Sequence, residues 1–252
     1  MESVMQRPMQ NSPAQKSPAP IVRDGLVRLD VSSMSVREIN DYLHHRAKSA
    51  GVKSVQILNP AGQHNLAVGL DLEVNVEIMG HAGYFIGGMN KQANLTVHGN
   101  VGWSVAENIM SGTVRVKGFA SECAAASGHG GLVVIEGDAS SRCGISMKGV
   151  DIVVGGSVGH MSAFMAQAGT LLICGDAAAA LGDSIYEAVI YVGGKIHSLG
   201  ADAREEAMTA PDYEKIRRLL QQAEINADPQ RFKRIASGRT LYHWNVEADQ
   251  EY

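Results

Sequence analysis

Proline, aromatic residues and long apolar runs are scarce in this chain of 252 residues, and their scarcity already restricts the fold. None of the seven prolines lies between Ala61 and Ala210. Because proline lacks the N–H that a sheet ladder needs, this long interval is typical of continuous strand pairing. Aromatic residues make up only 5% of the chain, which favours a narrow core of aliphatic side chains.

Other absences restrict the compartment and the partners. Three cysteines are too few for a disulfide framework and fit a reducing compartment, so we expect a cytoplasmic protein. A net charge of −4 gives no basic field for nucleic acid. No stretch approaches the roughly 20 apolar residues of a membrane span, and residues 1–20 lack the apolar core of a secretory signal.

The chain instead carries a strict repeat of 19 residues. Seven glycines mark this repeat, and we call them the corner glycines: Gly80, Gly99, Gly118, Gly137, Gly156, Gly175 and Gly194. Every other position is numbered from the corner glycine of its own repeat, so that +2 is two residues after that glycine. In every repeat, branched aliphatic residues occupy −4 and −2, and a small or β-branched apolar residue occupies +2. Position +7 is glycine or alanine in the first six repeats. A fixed period of this length indicates a repeat architecture.

The pattern within one repeat predicts the fold. Apolar residues at −4, −2 and +2 alternate with variable ones, and a period of two is typical of a strand with one buried face. Positions −3 and −1 include Glu77, Arg115 and Lys117, so we expect the outer face to be often solvated. The glycine predicts a corner with a positive φ. Because 19 residues are too few for a βαβ unit of roughly 30, we predict an all-β solenoid. Its form is a right-handed parallel β-helix of about seven coils, roughly 30 Å long.

Four segments follow from this pattern. Residues 1–21 are rich in Pro, Gln and Ser and predict a disordered or partner-contacting tail. Residues 22–65 predict a strand–helix–strand cap, residues 66–200 the β-helix, and residues 201–252 a helical extension with an aromatic tail. Such caps are needed because the end coil of a solenoid otherwise exposes an open sheet edge.

Local signals add detail to the caps. A capping box predicts a helix that begins near Ser35, and apolar alternation predicts one long strand over residues 66–78. Pro211 opens an amphipathic helix, and a second short helix is predicted after Pro229, ending near Gly238. Residues 241–244, Leu-Tyr-His-Trp, are either the far cap or a contact with another chain.

The histidines do not form a metal-binding pattern. Five of the nine lie in the repeats at five different positions: His98 at −1, His81 at +1, His197 at +3, His160 at +4 and His129 at +11. They therefore do not stack in one column, and no zinc-ligand spacing is present. Ser127 lies close to His129 in sequence, but no orienting acid accompanies them, so they are a weak candidate for nucleophilic catalysis.

The cysteines and aspartates have simpler interpretations. Cys123, Cys143 and Cys174 are too far apart for the usual iron–sulfur spacing, and we interpret them as buried, inert thiols. Three aspartates are interpreted as turn residues: Asp138, Asp176 and Asp183. We therefore assign no catalytic, cofactor-binding or metal-binding residue to this chain.

A scaffold protein should expose apolar surface that a lone chain does not hide. The candidates are the aromatic tail at Tyr242, His243 and Trp244, and five methionines, most of which we interpret as core filler: Met89, Met110, Met147, Met161 and Met165. A simple binding rod is disfavoured, because it would show exposed aromatic or charged residues recurring at one position, and we predict that neither recurs.

The repeated phrase V-x-V-x-G resembles the C-terminal G-x-G-x-G domain of the glutamate synthase large subunit, and the β-helix subunit of formylmethanofuran dehydrogenase looks similar. The best matching stretch is residues 94–199, for example residues 113–121 (TVRVKGFAS) and 132–139 (LVVIEGDA). Both families contain right-handed parallel β-helices. A stand-alone β-helix with its own helix in front and a helical tail behind is most similar to the β-helix subunit of N-methylglutamate synthase.

That resemblance implies a non-catalytic structural subunit in a transferase complex of methylamine metabolism. An amidotransferase-like chain and a chain with FMN and an iron–sulfur cluster would carry out the reaction, which makes N-methylglutamate from glutamate and methylamine. This chain would hold both partners in register and line a path for ammonia or methylamine. The alternatives are the β-helix subunit of a formylmethanofuran dehydrogenase, or a self-contained acyltransferase or γ-type carbonic anhydrase on a hexapeptide solenoid. The last class uses coils of 18 residues, which a strict period of 19 does not fit.

Overall fold

The computed structural model describes residues 20–23 and 25–239, which form a solenoid with a cap at each end. Both predicted tails, at residues 1–21 and 241–244, lie wholly or mostly outside these residues. The described strands are β1 (Ile21–Arg23), β2 (Leu26–Asp30), β3 (Ser54–Leu58), β4 (Asn75–Met79), β5 (Asn94–Val97), β6 (Thr113–Val116), β7 (Leu132–Ile135), β8 (Lys148–Val154), β9 (Ala168–Ile173), β10 (Val189–Val192), β11 (Ala203–Glu206) and β12 (Lys233–Ser237). The helices are α1 (Val36–Asp41), which continues as a π-helix over Tyr42–Ala47, α2 (Ala210–Ala223) and a 3₁₀ turn at Pro229–Arg231.

Strands β2 to β10 pair in parallel, each with the next along the chain. From β4 onward the partners are 19 residues apart, as in Asn75 with Asn94 and Asn94 with Thr113. A second row of single bridges joins the +2 positions from Ala82 to Ile196 at the same spacing. The parallel β-solenoid of about seven coils is therefore confirmed, and β2 and β3 add two further strands to its N-terminal end. The right-handed winding stays a prediction.

The interior is a continuous aliphatic column. The side chains at −4 and −2 are all buried, from Val76 and Ile78 in β4 to Ile190 and Val192 in β10. Residues at +2 and +6 complete the wall, where Ala82, Val105 and Ala139 are among the buried members. The alternation predicted from the sequence therefore sets which face of each strand is buried.

The corner glycines are needed for a different reason from the predicted one. From Gly99 to Gly194 none of them has a positive φ. A Cβ added at Gly137 would instead lie 2.9 Å from the carbonyl oxygen of Gly118, the equivalent glycine one coil earlier. Real Cβ atoms essentially never approach backbone so closely, so it is the contact between coils that excludes side chains at these corners.

Left-handed backbone recurs elsewhere in the coil, at positions +5, +7 and +9. Ser104, Ala106 and Asn108 have φ values of 59°, 55° and 54°. The N–H groups of these left-handed residues point to different coils. Ser104 donates to the Glu122 carbonyl in the next coil, and Ala106 donates to the Ile86 carbonyl in the preceding coil. Backbone hydrogen bonding between coils therefore continues where no strand is present.

The predicted strand over residues 66–78 is wrong in its first half. Leu66, Leu70 and Leu72 are buried as predicted. However, Asn65 and Ala67 have φ values of 58° and 55°, and the strand begins only at Asn75. Residues 70–74 alternate buried and exposed side chains as a strand does, but Leu66 and the left-handed Ala67 are consecutive and both fully buried.

The N-terminal cap satisfies the backbone of the first coil with helix side chains. The predicted capping box is present, with Ser35 accepting from the Glu38 N–H. Asn40 donates to the Asn65 carbonyl at 2.7 Å and accepts from the Ala67 N–H at 2.9 Å. Leu43, on the π-helical continuation of α1, is fully buried. The cap thus replaces hydrogen bonds that a further coil would have made.

The C-terminal cap differs from the prediction. The segment after Pro229 forms a 3₁₀ turn and then strand β12, not a second helix. Strand β12 pairs antiparallel with β10, and β11 pairs antiparallel with β12, so the last parallel strand is covered by a returning pair. The open edge selects a strand here, because β10 offers unpaired backbone groups that a helix would leave unsatisfied.

Helix α2, predicted from Pro211, lies on the outer face of the sheet. Its buried residues Ile216, Leu219, Leu220 and Ala223 contact a row of −3 side chains from β7 to β10: Val134, Val153, Leu172 and Tyr191. Fourteen residues of helix extend about 21 Å, and the distance from β6 to β10 is about 19 Å at the spacing of paired strands. The helix therefore covers the C-terminal half of this face and leaves the N-terminal half open.

We predict that Gly137→Val and Gly137→Ala both destabilise the solenoid, by about 2–4 kcal/mol for valine, because each places a Cβ against the Gly118 carbonyl. Urea denaturation followed by far-UV circular dichroism measures the change. Ser140→Ala in the same turn is the control and should stay within about 0.5 kcal/mol of wild type. A wild-type midpoint for Gly137→Ala would show that the close approach of coils does not restrict this site.

Candidate partner-binding surface

The solenoid does not bring its titratable residues together. Among the described residues, no group of three or more His, Cys, Asp or Glu side chains is placed to hold a metal ion. In the same part of the chain no hydrogen bond joins Ser127 to His129, whose side chain is exposed. No helix of residues 20–23 and 25–239 has both the length and the hydropathy needed to cross a bilayer.

The thiols are mostly buried, as predicted. Burial raises the pKa of Cys143 to about 12 and that of Cys174 to about 11. Cys123 is half-buried, and burial together with the nearby Glu122 carboxylate raises its pKa as well. All three cysteines are therefore protonated near neutral pH and react slowly as nucleophiles.

The two halves of the outer sheet face differ in polarity. The −3 positions of β4, β5 and β6 carry Glu77, Thr96 and Arg115, whereas those of β7 to β10 are apolar or aromatic and are covered by α2. Arg115 lies at the boundary, where it donates to the Ala223 carbonyl at 2.9 Å and to the Glu136 carboxylate at 2.8 Å. It thereby stabilises the carbonyl end of the helix dipole.

The uncovered half contains a polar groove of about 560 Å³ over β2 to β5. Side chains cross it as a connected row, since Arg28 donates to Gln56 at 3.2 Å and Gln56 donates to Glu77 at 2.9 Å. His98 continues the row, 3.4 Å from Glu77. Because these polar side chains are already paired with one another, the groove is a polar surface and not a built ligand pocket.

An exposed aromatic column lies beside this half of the sheet, at position +4. Tyr84 and Trp103 occupy +4 in neighbouring repeats and are 47% and 61% exposed. His64 from the preceding coil stacks on Tyr84, with ring centroids 3.6 Å apart. The prediction that no exposed aromatic recurs at one position is therefore wrong, because position +4 faces solvent in both coils.

A second column, at position +1, bonds each coil to the next through side chains. His81 Nδ1 accepts from the Asn100 N–H at 2.9 Å, and Asn100 accepts from the Phe119 N–H at 3.1 Å. The column resumes with Asp138, Ser157 and Asp176, each accepting from the +1 N–H of the next coil at 2.7 to 2.9 Å. The aspartates at 138 and 176 thus lie at the corners, as predicted.

Phe119 interrupts this column. Its side chain has no acceptor to offer, and the Asp138 N–H is left with no protein partner in the described part of the chain. The ring itself is 53% exposed. An apolar residue here gives up a hydrogen bond between coils and buries little surface in return, which identifies Phe119 as a candidate contact residue.

The methionines divide between core and surface. Met147 is fully buried, as predicted for core filler, and Met161 is half-buried. Core filler is wrong for Met89, Met110 and Met165, which are 46%, 43% and 39% exposed. Six of the nine large exposed apolar residues among those described lie between residues 79 and 119, on the half that α2 leaves open.

Fold and surface together define a parallel β-solenoid protein that caps its own ends and exposes apolar side chains mainly on one half. The chain belongs to the family of protein GlxC: it is 48% identical to protein GlxC of Rhizobium meliloti (strain 1021) over 225 residues, which are 89% of this chain and 99% of that protein. No family model matches the chain. No solved structure matches it either.

Two signals for this surface are visible in the repeat. The change at −3 from polar to apolar residues between Arg115 and Val134 indicates where a covering element begins. The shared position of Tyr84 and Trp103 is equally visible. Both were missed because the repeat alone does not show which variable positions are covered.

A buried polar cluster fixes the start of α2 to β10. Tyr191 donates to Asp212 at 2.6 Å, and the Thr209 hydroxyl and N–H donate to the other Asp212 oxygen at 2.6 and 2.8 Å. Burial alone would raise the pKa of Asp212, but the hydrogen bonds from Thr209 and Tyr191 lower it below its ordinary value of 3.8. Burial and the Asp212 carboxylate raise the pKa of Tyr191.

We predict that Tyr191→Phe costs about 2 kcal/mol of stability, because it removes a buried hydrogen bond to a charged group. Tyr213→Phe, next to Asp212 on helix α2, is the control, since its hydroxyl has no hydrogen bond in the described structure. Urea denaturation at neutral pH measures both variants. Equal losses in the two would contradict the role given to Tyr191.

The same cluster predicts acid sensitivity. Because the pKa of Asp212 is lowered on folding, its stabilisation is present above the ordinary value of 3.8 and is lost as pH falls through the lowered value. Asp212→Asn should therefore be less stable than wild type at pH 7, and the difference should shrink in acid. Urea denaturation at several pH values between 7 and the acid range measures this. A stability difference between Asp212→Asn and wild type that stays constant as the pH falls would contradict the role of the Asp212 carboxylate.

Proposed function

We propose that this chain is the non-catalytic structural subunit of a glutamate synthase-like complex, of the kind that makes N-methylglutamate from glutamate and methylamine. In this proposal it holds an amidotransferase-like chain and an FMN and iron–sulfur chain in register in the cytoplasm. It carries no cofactor itself and forms part of the wall of the ammonia or methylamine path.

The observation that carries the proposal is the exposed apolar surface on the uncovered half of the solenoid. The chain closes both of its own sheet edges and covers one half of its outer face, so its exposed aromatic residues do not serve self-assembly of the coil. Tyr84, Trp103 and Phe119 are each about half exposed or more, and apolar residues clustered on a surface mark contacts with other molecules.

The resemblance of the repeat supports the class of complex. The phrase V-x-V-x-G recurs at a fixed corner, and its best agreement with the glutamate synthase domain covers residues 94–199, which contain β5 to β10. The coil contacts at the corner glycines give this motif a physical basis, because from Gly99 onward each glycine admits the backbone of the preceding coil.

The alternatives make different predictions. The β-helix subunit of a formylmethanofuran dehydrogenase would also be a scaffold, in a tungsten or molybdenum enzyme. A self-contained solenoid acyltransferase or carbonic anhydrase would need convergent histidines, and in the described residues the histidines share no site. The formylmethanofuran dehydrogenase subunit would bind different partners from those proposed here. The self-contained enzyme would need no partner.

Co-purification tests the proposal. The tagged chain is expressed with its genomic neighbours, and the purified material is examined by gel electrophoresis, absorption spectroscopy and metal analysis. We expect two further chains and the absorption of a flavin and an iron–sulfur cluster, with turnover of methylamine and glutamate.

Each result has a defined consequence. Tungsten or molybdenum in the complex would favour the formylmethanofuran dehydrogenase alternative. A colourless protein that captures no neighbour would overturn the scaffold proposal. A complex that turns over glutamate with ammonia but not with methylamine would keep the scaffold role and change the substrate.

A further inference from the structure

We propose that the surface formed by Tyr84, Trp103 and Phe119, with the carboxylates of Glu107 and Glu122, docks a partner protein that presents arginine or lysine beside apolar residues. We call this the aromatic–acidic surface. The inference rests on the proposed function, and it adds which face is used and what chemistry the partner brings.

The aromatic residues lie close together through the backbone of neighbouring coils. Tyr84 and Trp103 are equivalent residues of adjacent coils, since Phe85 donates to the Trp103 carbonyl at 2.8 Å. Phe119 lies beside the same segment, because its carbonyl accepts from the Val101 N–H at 3.0 Å. Three successive coils therefore each carry an exposed ring, at +4 in Tyr84 and Trp103 and three positions earlier, at +1, in Phe119.

The sequence of this corner departs from what coil stability favours. At +1, asparagine, aspartate and serine each bond the next coil, whereas Phe119 leaves the Asp138 N–H without a protein partner in the described structure. Residues that lower stability without a structural gain are typical of functional surfaces. Phe119 thus supplies an observation that is independent of the exposure of Tyr84 and Trp103.

The charge of the surface indicates the chemistry of the partner. Glu122 follows Trp103 in the +4 column, and its carbonyl accepts from the Ser104 N–H at 2.9 Å. Glu107 lies on the same turn, with its N–H donating to Ser104. In the described part of the chain neither carboxylate has an ion-pair partner. Burial is the main cause that raises the pKa of Cys123; Glu122 and Glu107 both lie near enough to raise it further, and Arg142 lowers it.

Exposed rings beside unpaired carboxylates suit a cationic side chain. A guanidinium or ammonium group is attracted to the face of tryptophan or tyrosine, and a carboxylate nearby adds a charge-assisted hydrogen bond. Arg142, one coil beyond Glu122, lies near enough to Cys123 to oppose the rise of its pKa, and makes no ion pair in the described structure. A partner with basic and apolar residues complements this surface better than an acidic one or a second acidic copy.

The experiment uses the full chain, tagged and expressed with its genomic neighbours. The variants are Trp103→Ala, Glu122→Lys and Phe119→Asn, and the control is His160→Ala, an exposed +4 residue two coils beyond Glu122. We expect the first two to reduce the amount of captured partner at least tenfold and the control to leave it unchanged. Capture by wild type should also weaken as salt is raised.

Phe119→Asn separates docking from folding. Asparagine at 119 restores the acceptor for the Asp138 N–H, so this variant should melt about 2 °C higher than wild type while capturing less partner. A variant that gains stability and loses the partner cannot be explained by misfolding.

The outcomes distinguish the two proposals. If wild type captures no neighbour, the proposed function fails and this inference fails with it. If wild type and all three variants capture the same chains equally, the proposed function stands and the aromatic–acidic surface is not the docking face. If the variants change only the oligomeric state measured by light scattering, the surface joins copies of this chain and the inference is overturned.

Discussion

The close approach of successive coils is the constraint on which the rest of this structure depends. In the strands the coils are joined by parallel pairing, and in the turns by left-handed residues whose N–H groups donate in turn to the next coil and to the preceding one. At the corner the glycine backbones nearly touch, so that a Cβ at Gly137 would meet the Gly118 carbonyl at 2.9 Å. A period of 19 residues without slips is needed because one inserted residue would turn the side chains of a coil to the wrong face.

A solenoid built in this way has two ends and a long outer face, and the chain covers them unequally. Asn40 and the N-terminal helix complete the first coil, and β12 completes the last. Helix α2 covers the sheet from β7 to β10, held by Arg115 at one end and by the Asp212 cluster at the other. The remaining half keeps a polar groove and an aromatic corner exposed, and this asymmetry is the physical basis for proposing that partners bind there.

Stability and contact oppose each other at that corner. The +1 column shows that a short polar side chain can bond each coil to the next, and Phe119 omits this bond midway along the rod. A rod whose coils are otherwise joined throughout can lose one such bond without unfolding. The exposed Phe119 ring therefore indicates an interaction surface, and the neighbouring Glu107 and Glu122 carboxylates make that surface negatively charged.

The sequence by itself determined the coil number and the buried −4 and −2 positions, because a strict repeat imposes one environment on equivalent residues, and local signals determined helices α1 and α2. It did not distinguish a strand from the left-handed turn at residues 66–72, because spaced leucines are buried in either structure. It also did not show that the chain after Pro229 returns as β12, which depends on an open edge formed by residues distant in sequence. Only the tertiary structure decided that α2 covers the −3 side chains from β7 to β10, and that Tyr84, Trp103 and Phe119 are exposed.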